Sequence, residues 1–181
     1  MRYGLRIVLI IMIFGCSLLG FSTFALAEEG VIQAMAPWSG EGHAFPIGND
    51  RVYMVAVYSG TIFVDKGEGV LHAASIVCPA TVEVDLLTGK KSGQGHCIIT
   101  NQDGDRIYAD YTCTGDLRGC AGPFTLVGGT GKFTGITGEG EMISQLQARA
   151  VVVVEGFESA RQHGEGVAFW PKLTYRIPDT Q

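Results

Sequence analysis

The chain has 181 residues, a formal net charge of −5 at pH 7 and 26 glycines. An acidic chain without a basic run is a poor partner for nucleic acid or for an anionic membrane surface, which argues against both as partners. The length is that of one domain of ordinary size, and it is sufficient to bury a hydrophobic core.

Residues 1–27 have the pattern of a secretory signal peptide. Arg2 and Arg6 supply a positive start, residues 7–19 are nearly all apolar, and residues 25–27 form an Ala-Leu-Ala cleavage site. Removing these 27 of 181 residues leaves 154, and because two arginines and no acidic residue are lost, the formal charge changes from −5 to −7. We expect an exported protein, periplasmic or secreted, with no transmembrane span after processing.

Two other interpretations of this segment remain open. One is that the apolar run is retained as an N-terminal anchor. The other is lipidation, because residues 13–16 read Ile-Phe-Gly-Cys and resemble a lipoprotein box. Phe14 is bulky where a small residue is usual, and the apolar run continues past Cys16, so the pattern favours cleavage after Ala27.

Residues 28–50 are weakly patterned and contain Pro37, Pro46 and several glycines. Such residues interrupt regular structure, so we predict an N-terminal segment that leads into the folded domain and contains one short strand near residues 43–45. The β-barrel domain itself is predicted to span residues 51–181.

The rest of the chain alternates strand-like runs with turn signals. The runs are rich in β-branched and aromatic residues, and no stretch shows a convincing helical period over three turns. Pro79 and Pro171 lack an N–H group, so we predict a bend or a sheet edge at Pro79 and a sheet edge or a bulge at Pro171. About eight strands with short turns suit a barrel or a sandwich. The predicted strands include residues 51–65, 70–85, 96–100, 106–113, 124–127, 141–155 and 167–177. The first of these is broken at Ser59-Gly60, and residues 88–95 are predicted to form a long polar hairpin loop.

Four cysteines follow the signal peptide, and an even number in an exported domain indicates disulfides, with three pairings open. Cys113 and Cys120 flank a turn-rich loop, and a hairpin centred on residues 116–117 would place them directly opposite each other. We therefore predict Cys113–Cys120, which leaves Cys78–Cys97. Zinc is the alternative, but the chain has no C-x-x-C pair and no two histidines at ligand spacing, so we predict no metal and no cofactor.

Residues 128–140 contain six glycines, with apolar residues at wide intervals between them. Glycine at this density lets the backbone adopt positive φ and lets strands approach closely or turn a corner. We predict a bent, bulged β segment that helps to close a small barrel. The positions that carry this prediction are Gly128, Gly129, Gly131, Phe133, Gly135 and Gly138.

Neither the glycine segment nor the Asp103-Gly104-Asp105 sequence has the pattern of a phosphate-binding or calcium-binding site. A P-loop has Ser or Thr after Gly-Lys, whereas Phe133 follows Gly131-Lys132 here. A dinucleotide fingerprint needs a glycine at position 134 and a following helix, and neither is present in the pattern. Asp103-Gly104-Asp105 is a hairpin turn signal, because the further oxygen ligands of a calcium loop are missing after it.

Residues 128–138 read Gly-Gly-x-Gly-x-Phe-x-Gly-x-x-Gly, which resembles the signature of the allene oxide cyclase-like and dirigent-like barrels. Gly95-His96-Cys97 and Asp103-Gly104-Asp105 resemble uncharacterised exported bacterial proteins with the same signature. The resemblance implies an all-β fold, a single antiparallel up-and-down barrel of about eight strands, which in some members holds a small apolar ligand in the lumen. It implies no catalytic residue, because the matching positions are glycines and a packing Phe.

Three polar side chains fall on the apolar, inward faces of predicted strands: His72, Tyr111 and Ser144. If the lumen holds a ligand, these are the groups that orient it, although a histidine on such a face is more often a satisfied core residue. The catalytic residue is unknown, because no Gly-x-Ser-x-Gly elbow is present and Glu83 and Glu141 fall on outward faces.

Three functional hypotheses follow. The first is an exported barrel that binds a small apolar ligand or serves as a structural envelope module. The second is an isomerase or cyclase acting on an apolar substrate in the lumen, so the sequence leaves open whether the protein is an enzyme. The third is an interaction domain that docks through its outer face. A packed lumen favours the third, and a cavity containing an ionisable group with a shifted pKa favours the second. The oligomeric state is not determined by the sequence.

Overall fold

Eight antiparallel strands pair side by side and close into one barrel. Along each strand, side chains point alternately into the barrel and out of it. The computed structural model describes residues 27–147 and 160–179. Each strand pairs with its neighbours in the chain, and the last strand pairs with the first, which confirms the predicted all-β, up-and-down barrel. The elements are β1 (Glu28–Pro46), β2 (Arg51–Val64), β3 (Ala74–Asp85), β4 (Lys90–Thr100), β5 (Arg106–Asp116), β6 (Gly119–Gly129), a 3₁₀-helix (Gly131–Phe133), β7 (Gly138–Leu146) and β8 (Ala160–Ile177).

Two predictions fall partly outside the described residues. The signal peptide at residues 1–27 lies there except for Ala27. The strand predicted at residues 141–155 is described only as far as Gln147, where β7 has just ended. Within the described ranges, no helix is long and apolar enough to cross a membrane.

The first strand is much longer than the sequence pattern predicts. β1 has 19 residues and pairs with both β2 and β8, in place of one short strand near residues 43–45. Its buried inward positions include Ala36 and Ala44, so they lack the β-branched signal that marks later strands. The residues predicted to lead into the domain, 28–50, are therefore mostly a full barrel strand, held by backbone pairing on both sides.

Two other strand boundaries differ from the prediction. β3 begins at Ala74, because residues 70–73 form a turn in which Ala73 adopts a left-handed φ of 57°. β4 begins at Lys90, although residues 90–95 are polar or glycine and were predicted as loop. These residues pair with β3 on one side and β5 on the other, so neighbouring backbones impose the strand conformation on a segment of low strand propensity.

The two prolines behave differently. At Pro171 and Lys172 the register of β8 shifts against both β1 and β7, and both residues are exposed, which confirms the predicted bulge. Pro79 lies within β3 and points outward. The prediction of a sheet edge at Pro79 is wrong, because a closed barrel has no edge. The β3–β4 pairing skips Cys78 and Pro79, and it resumes in the same register at Ala80.

Both predicted disulfides are present. Cys78 and Cys97 join β3 to β4 with a Cα–Cα distance of 4.1 Å. Cys113 and Cys120 join β5 to β6 with a Cα–Cα distance of 5.5 Å. The predicted hairpin register is wrong, however, because Cys120 pairs with Gly115 and the second disulfide runs diagonally between the strands.

The glycine segment is a strand end, a turn and a strand start. Residues 128–129 end β6 beside a register shift against β5, as the predicted bulge requires. A 3₁₀-helix follows, so the prediction of a continuous β segment is wrong at this point. Gly131 and Gly135 have φ of 56° and 75°, a left-handed region that favours glycine. The turn carries Phe133 into the end of the barrel, where the side chain is 1% exposed.

The end of the barrel that receives Phe133 is packed with large apolar side chains. They come from β2, β4, β5, β6 and β8 and from the turns at the same end, and nearly all are fully buried. Burial of each side chain of this size stabilises the fold by about 1.5–3 kcal/mol. This packed end consists mainly of Ile62, Val64, Leu71, Ile99, Ile107, Leu126, Phe133, Ile136 and Leu173.

We predict that Gly138→Ala destabilises the barrel. A Cβ atom at Gly138 would overlap the backbone oxygen of Thr174 on β8, which side-chain rotation cannot relieve. We expect the free energy of unfolding to fall by about 1–3 kcal/mol. The measurement is denaturant unfolding followed by tryptophan fluorescence.

Gly164→Ala is the matched control for this prediction. A Cβ atom there would lie 3.6 Å from Leu146 and 3.8 Å from Trp38, which is ordinary contact. We expect its effect to stay within about 0.5 kcal/mol. Equal effects of the two substitutions would contradict close backbone approach at Gly138.

Candidate functional site

The other half of the barrel lumen is hollow. It contains a cavity of about 620 Å³ that reaches the connections β1–β2, β3–β4 and β5–β6. Inward positions here carry small residues, among them Ala44, Ala56 and Gly93, whereas the packed end carries Ile, Leu and Phe. The cavity therefore follows from side-chain size along the strands, since the backbone circumference of an eight-stranded barrel is fixed by its strand number and stagger.

Aromatic rings form much of the cavity wall. The ring of Trp170 meets Phe124 edge to face with centroids 5.2 Å apart, at the boundary with the packed end. Trp38 and Tyr58 make a second edge-to-face pair, also with centroids 5.2 Å apart. Such contacts fix ring orientation, so this wall is rigid and apolar.

Two glycines make room for the tyrosine rings. A Cβ atom at Gly40 would collide with the ring of Tyr58, and one at Gly95 would collide with the ring of Tyr111. Each glycine lies directly across from its tyrosine on the neighbouring strand. The rings therefore lie over the glycine backbone, and both tyrosines line the cavity.

The hydroxyl groups of these tyrosines are protonated donors at neutral pH. Burial raises the pKa of Tyr58. The pKa of Tyr111 is also raised, mainly by burial and to a smaller extent by the neighbouring Tyr58. Neither hydroxyl has a hydrogen-bond partner within the described part of the chain. Each is available to donate a hydrogen bond to an acceptor inside the lumen.

Three further polar groups surround the cavity. Ser144 lies on its wall, opposite Ala168 of β8 and Cys120 of β6. Lys91 is half-buried near the mouth, the end that the three connections surround. The indole Nε1 of Trp170 is buried and has no hydrogen-bond partner among the described residues, which is uncommon for a buried donor.

The structure separates the three sequence candidates. Tyr111 and Ser144 both line the cavity, as alternation along their strands predicts. His72 does not line it: the residue lies in the turn before β3, beside the packed end. Its Nδ1 accepts a hydrogen bond from the backbone N–H of Val64 at 3.3 Å, and its ring meets Phe63 edge to face.

Sequence reasoning missed Tyr58 and Lys91. Tyr58 precedes Ser59-Gly60, which was interpreted as a break in the run rather than as part of a continuous strand. Lys91 fell in a predicted loop, so no inward face was assigned to it. Every second residue of a strand points the same way. Counting back from Cys97 through residues 95 and 93 would therefore have placed Lys91 on the inward face.

The Asp103-Gly104-Asp105 turn lies beside the 3₁₀-helix at the packed end and is held by side-chain hydrogen bonds. The Asn101 side chain accepts hydrogen bonds from the backbone N–H groups of Asp103 and Asp105, at 3.0 and 2.9 Å. Asp103 accepts one from Lys132 Nζ at 2.7 Å, which lowers the pKa of that carboxyl. These contacts tie the turn to the 3₁₀-helix. In the described residues, no three His, Cys, Asp or Glu side chains are arranged to hold a metal ion.

Comparisons of this chain with known protein families and with curated proteins find no match.

We predict that Tyr111→Phe makes stability less dependent on alkaline pH. The folded pKa of Tyr111 is raised above the unfolded value of about 10, so the folded state retains a proton that the unfolded chain releases. This stabilisation is complete below a pH of about 10 and is lost as pH rises through the folded pKa. The measurement is the free energy of unfolding between about pH 9 and 11.

Tyr108→Phe is the control for the alkaline series, because Tyr108 lies on the same strand and points to the outer face. We expect a shallower pH dependence for Tyr111→Phe than for Tyr108→Phe. Identical slopes for the two variants would contradict the burial of Tyr111 in the lumen.

Proposed function

We propose that this protein is an exported β-barrel that binds a small apolar ligand in the hollow half of its lumen. The observation that carries the proposal is the division of the barrel into a packed end and a cavity of about 620 Å³. That volume lies within the range of roughly 300–1,000 Å³ typical of small-molecule sites. A structural module without a ligand gains more stability from a filled lumen, because interiors are otherwise close-packed.

The chemistry of the wall supports an apolar ligand held by a few polar groups. The wall is mainly apolar and includes alanines, valines and the rings of two tryptophans and two tyrosines, and the hydroxyls of Tyr58, Tyr111 and Ser144 are distributed among them. Small-molecule sites combine such walls with a few placed donors that fix the orientation of the ligand. The rings supply contact area, and the hydroxyls supply orientation.

Export is supported by two features. The pattern of residues 1–27 is that of a signal peptide. Cys78–Cys97 and Cys113–Cys120 are bonded as disulfides, which persist in oxidising compartments such as the bacterial periplasm or the extracellular medium. We place the protein in one of these two compartments.

The proposed function agrees with the resemblance to allene oxide cyclase-like and dirigent-like barrels. The closed barrel has the architecture that the resemblance implies. The glycines of residues 128–138 build a turn that closes one end of the lumen. We propose membership of this superfamily on these grounds. The test is to build a sequence profile from relatives of this chain and compare it with profiles of those barrels, and we expect detectable similarity.

We predict that Ala56→Phe blocks ligand binding. Ala56 is half-buried and lines the cavity, so a phenyl ring there occupies space that the ligand needs. The probe is N-phenylnaphthylamine, an uncharged fluorescent molecule that responds to apolar sites. We expect the parent protein to bind it and Ala56→Phe to weaken binding by about tenfold or more, since overpacking costs about 1–3 kcal/mol.

Val57→Phe is the matched control for cavity blocking. Val57 is the next residue of β2, points outward and is 49% exposed, so the same ring added there leaves the lumen unchanged. We expect its probe affinity to equal that of the parent. Absence of binding to the parent, or equal loss in both variants, would overturn the proposed site.

A second candidate function is an isomerase or cyclase acting on an apolar substrate in the same lumen. The observation that favours it is the presence of ionisable groups with shifted pKa in the cavity wall. Tyr58 and Tyr111 are protonated at neutral pH, and burial raises the pKa of each further, so their hydroxyls can donate a hydrogen bond to a substrate oxygen and polarise it. If the reaction is a ring closure whose rate depends mainly on how the substrate is folded and oriented, a shaped cavity with one or two hydrogen-bond donors is sufficient to catalyse it.

Native mass spectrometry of the protein purified from its own compartment identifies the bound molecule. Chromatography of the released molecule after incubation, which separates isomers of equal mass, distinguishes the two candidates. A bound molecule recovered unchanged after incubation supports simple binding. Conversion of that molecule to an isomer, slowed in Tyr111→Phe by about tenfold or more while binding is retained, supports catalysis. Equal rates in the parent and Tyr111→Phe would remove Tyr111 from the reaction.

A further inference from the structure

Lys91 is a lysine that lines the cavity. It lies near the start of β4, where it pairs with Val84 of β3 and Gly115 of β5, and its side chain is half-buried. The preceding residue, Lys90, is exposed on the opposite face of the strand. Strand alternation therefore sends one of two consecutive lysines to the lumen and the other to solvent.

Within the described residues, the charge of Lys91 is only partly compensated. Lys91 forms no ion pair with any residue in the described part of the chain. Asp116 attracts it, but the Asp116 carboxylate already accepts hydrogen bonds from the Arg118 guanidinium at 2.9 Å and from the Arg118 backbone N–H at 2.8 Å. Burial lowers the pKa of Lys91, and Asp116 offsets only part of that effect. A desolvated cation of this kind is stabilised by an anion.

Other formal charges are nearly absent from the cavity wall. Among the described residues that line it, Glu41 is the one carboxylate, and it is exposed at the edge of the site. Glu41 faces Arg161 at 3.6 Å and His163 at 3.9 Å on the outer surface of β8. The part of the lumen formed by residues 27–147 and 160–179 therefore presents one lysine near its mouth and mainly apolar surface below it.

We propose that the ligand is an amphipathic anion whose single charged group pairs with Lys91 Nζ at the mouth and whose apolar body fills the cavity. This inference rests on the proposed ligand-binding function and adds the chemical class of the ligand. Carboxylate, sulfonate and phosphate groups share the required chemistry, because each accepts charge-assisted hydrogen bonds from an ammonium group. The apolar body lies against the small side chains of β1 and β2, with the tyrosine hydroxyls beside it.

The test uses two fluorescent probes with the same ring system. Anilinonaphthalene sulfonate carries an anion, and N-phenylnaphthylamine lacks it. We expect the parent protein to bind both, and Lys91→Met to weaken binding of the sulfonate by about tenfold or more while leaving the uncharged probe unaffected. Retained affinity for the uncharged probe shows that the variant still folds and keeps its cavity.

Lys90→Met is the matched control, because it removes the same charge from the adjacent residue on the outer face. Lys91→Arg tests rescue, because it restores a cation at the cavity wall. We expect sulfonate affinity close to that of the parent in both variants. Equal weakening in Lys90→Met and Lys91→Met would assign the effect to net charge and overturn the proposed contact.

Failure of this inference differs from failure of the proposed function. If both probes bind and Lys91→Met changes neither affinity, the ligand-binding function stands and the anionic class is overturned. If neither probe binds the parent protein, the proposed function is overturned, and the inference with it.

Discussion

The fixed width of an eight-stranded barrel is the constraint on which the rest of this structure depends. Once the sheet has closed, the interior volume is set, and each inward side chain either fills its share or leaves space. Ile107 and Phe133 are fully buried at one end, whereas Ala44 and Ala56 occupy inward positions at the other. The order of large and small residues along the strands therefore produces the cavity, and no distortion of the backbone is required.

The hollow half lacks the packing that holds the other end together, and covalent links lie where packing is sparse. All four cysteines of the two disulfides contribute to the cavity wall. A disulfide stabilises a fold by about 2–4 kcal/mol, chiefly through the unfolded state, so the stabilisation does not depend on a filled lumen.

At the packed end the glycine segment, residues 128–140, closes the barrel. It turns the chain from β6 to β7 within a few residues and inserts Phe133 and Ile136 as a plug.

The polar groups of the lumen are arranged along its axis. Trp170 lies at the boundary with the packed end, Tyr58 and Tyr111 lie on the wall, and Lys91 lies near the mouth. Apolar surface separates these groups, so a bound molecule is held by shape and oriented by a small number of contacts. Lys91, which forms no ion pair with the described residues, lies near the mouth of a mainly apolar cavity and is the basis for proposing an anionic ligand in an acidic protein. The local environment of the cavity, and not the net charge of the chain, determines which ligand charge is favoured.

The sequence alone determined the all-β class, the inward placement of Tyr111 and Ser144 and the bulge at Pro171. These features follow from alternation within one strand or from a missing N–H group, both of which act over a few neighbouring residues. Both disulfide pairs were also predicted, but from a hairpin register that is wrong and from elimination. Tertiary structure decided that residues 28–46 form a strand, that Lys91 points into the lumen and that His72 does not. Those outcomes depend on pairing between segments far apart in the chain and on the volume they enclose, which local propensity does not encode.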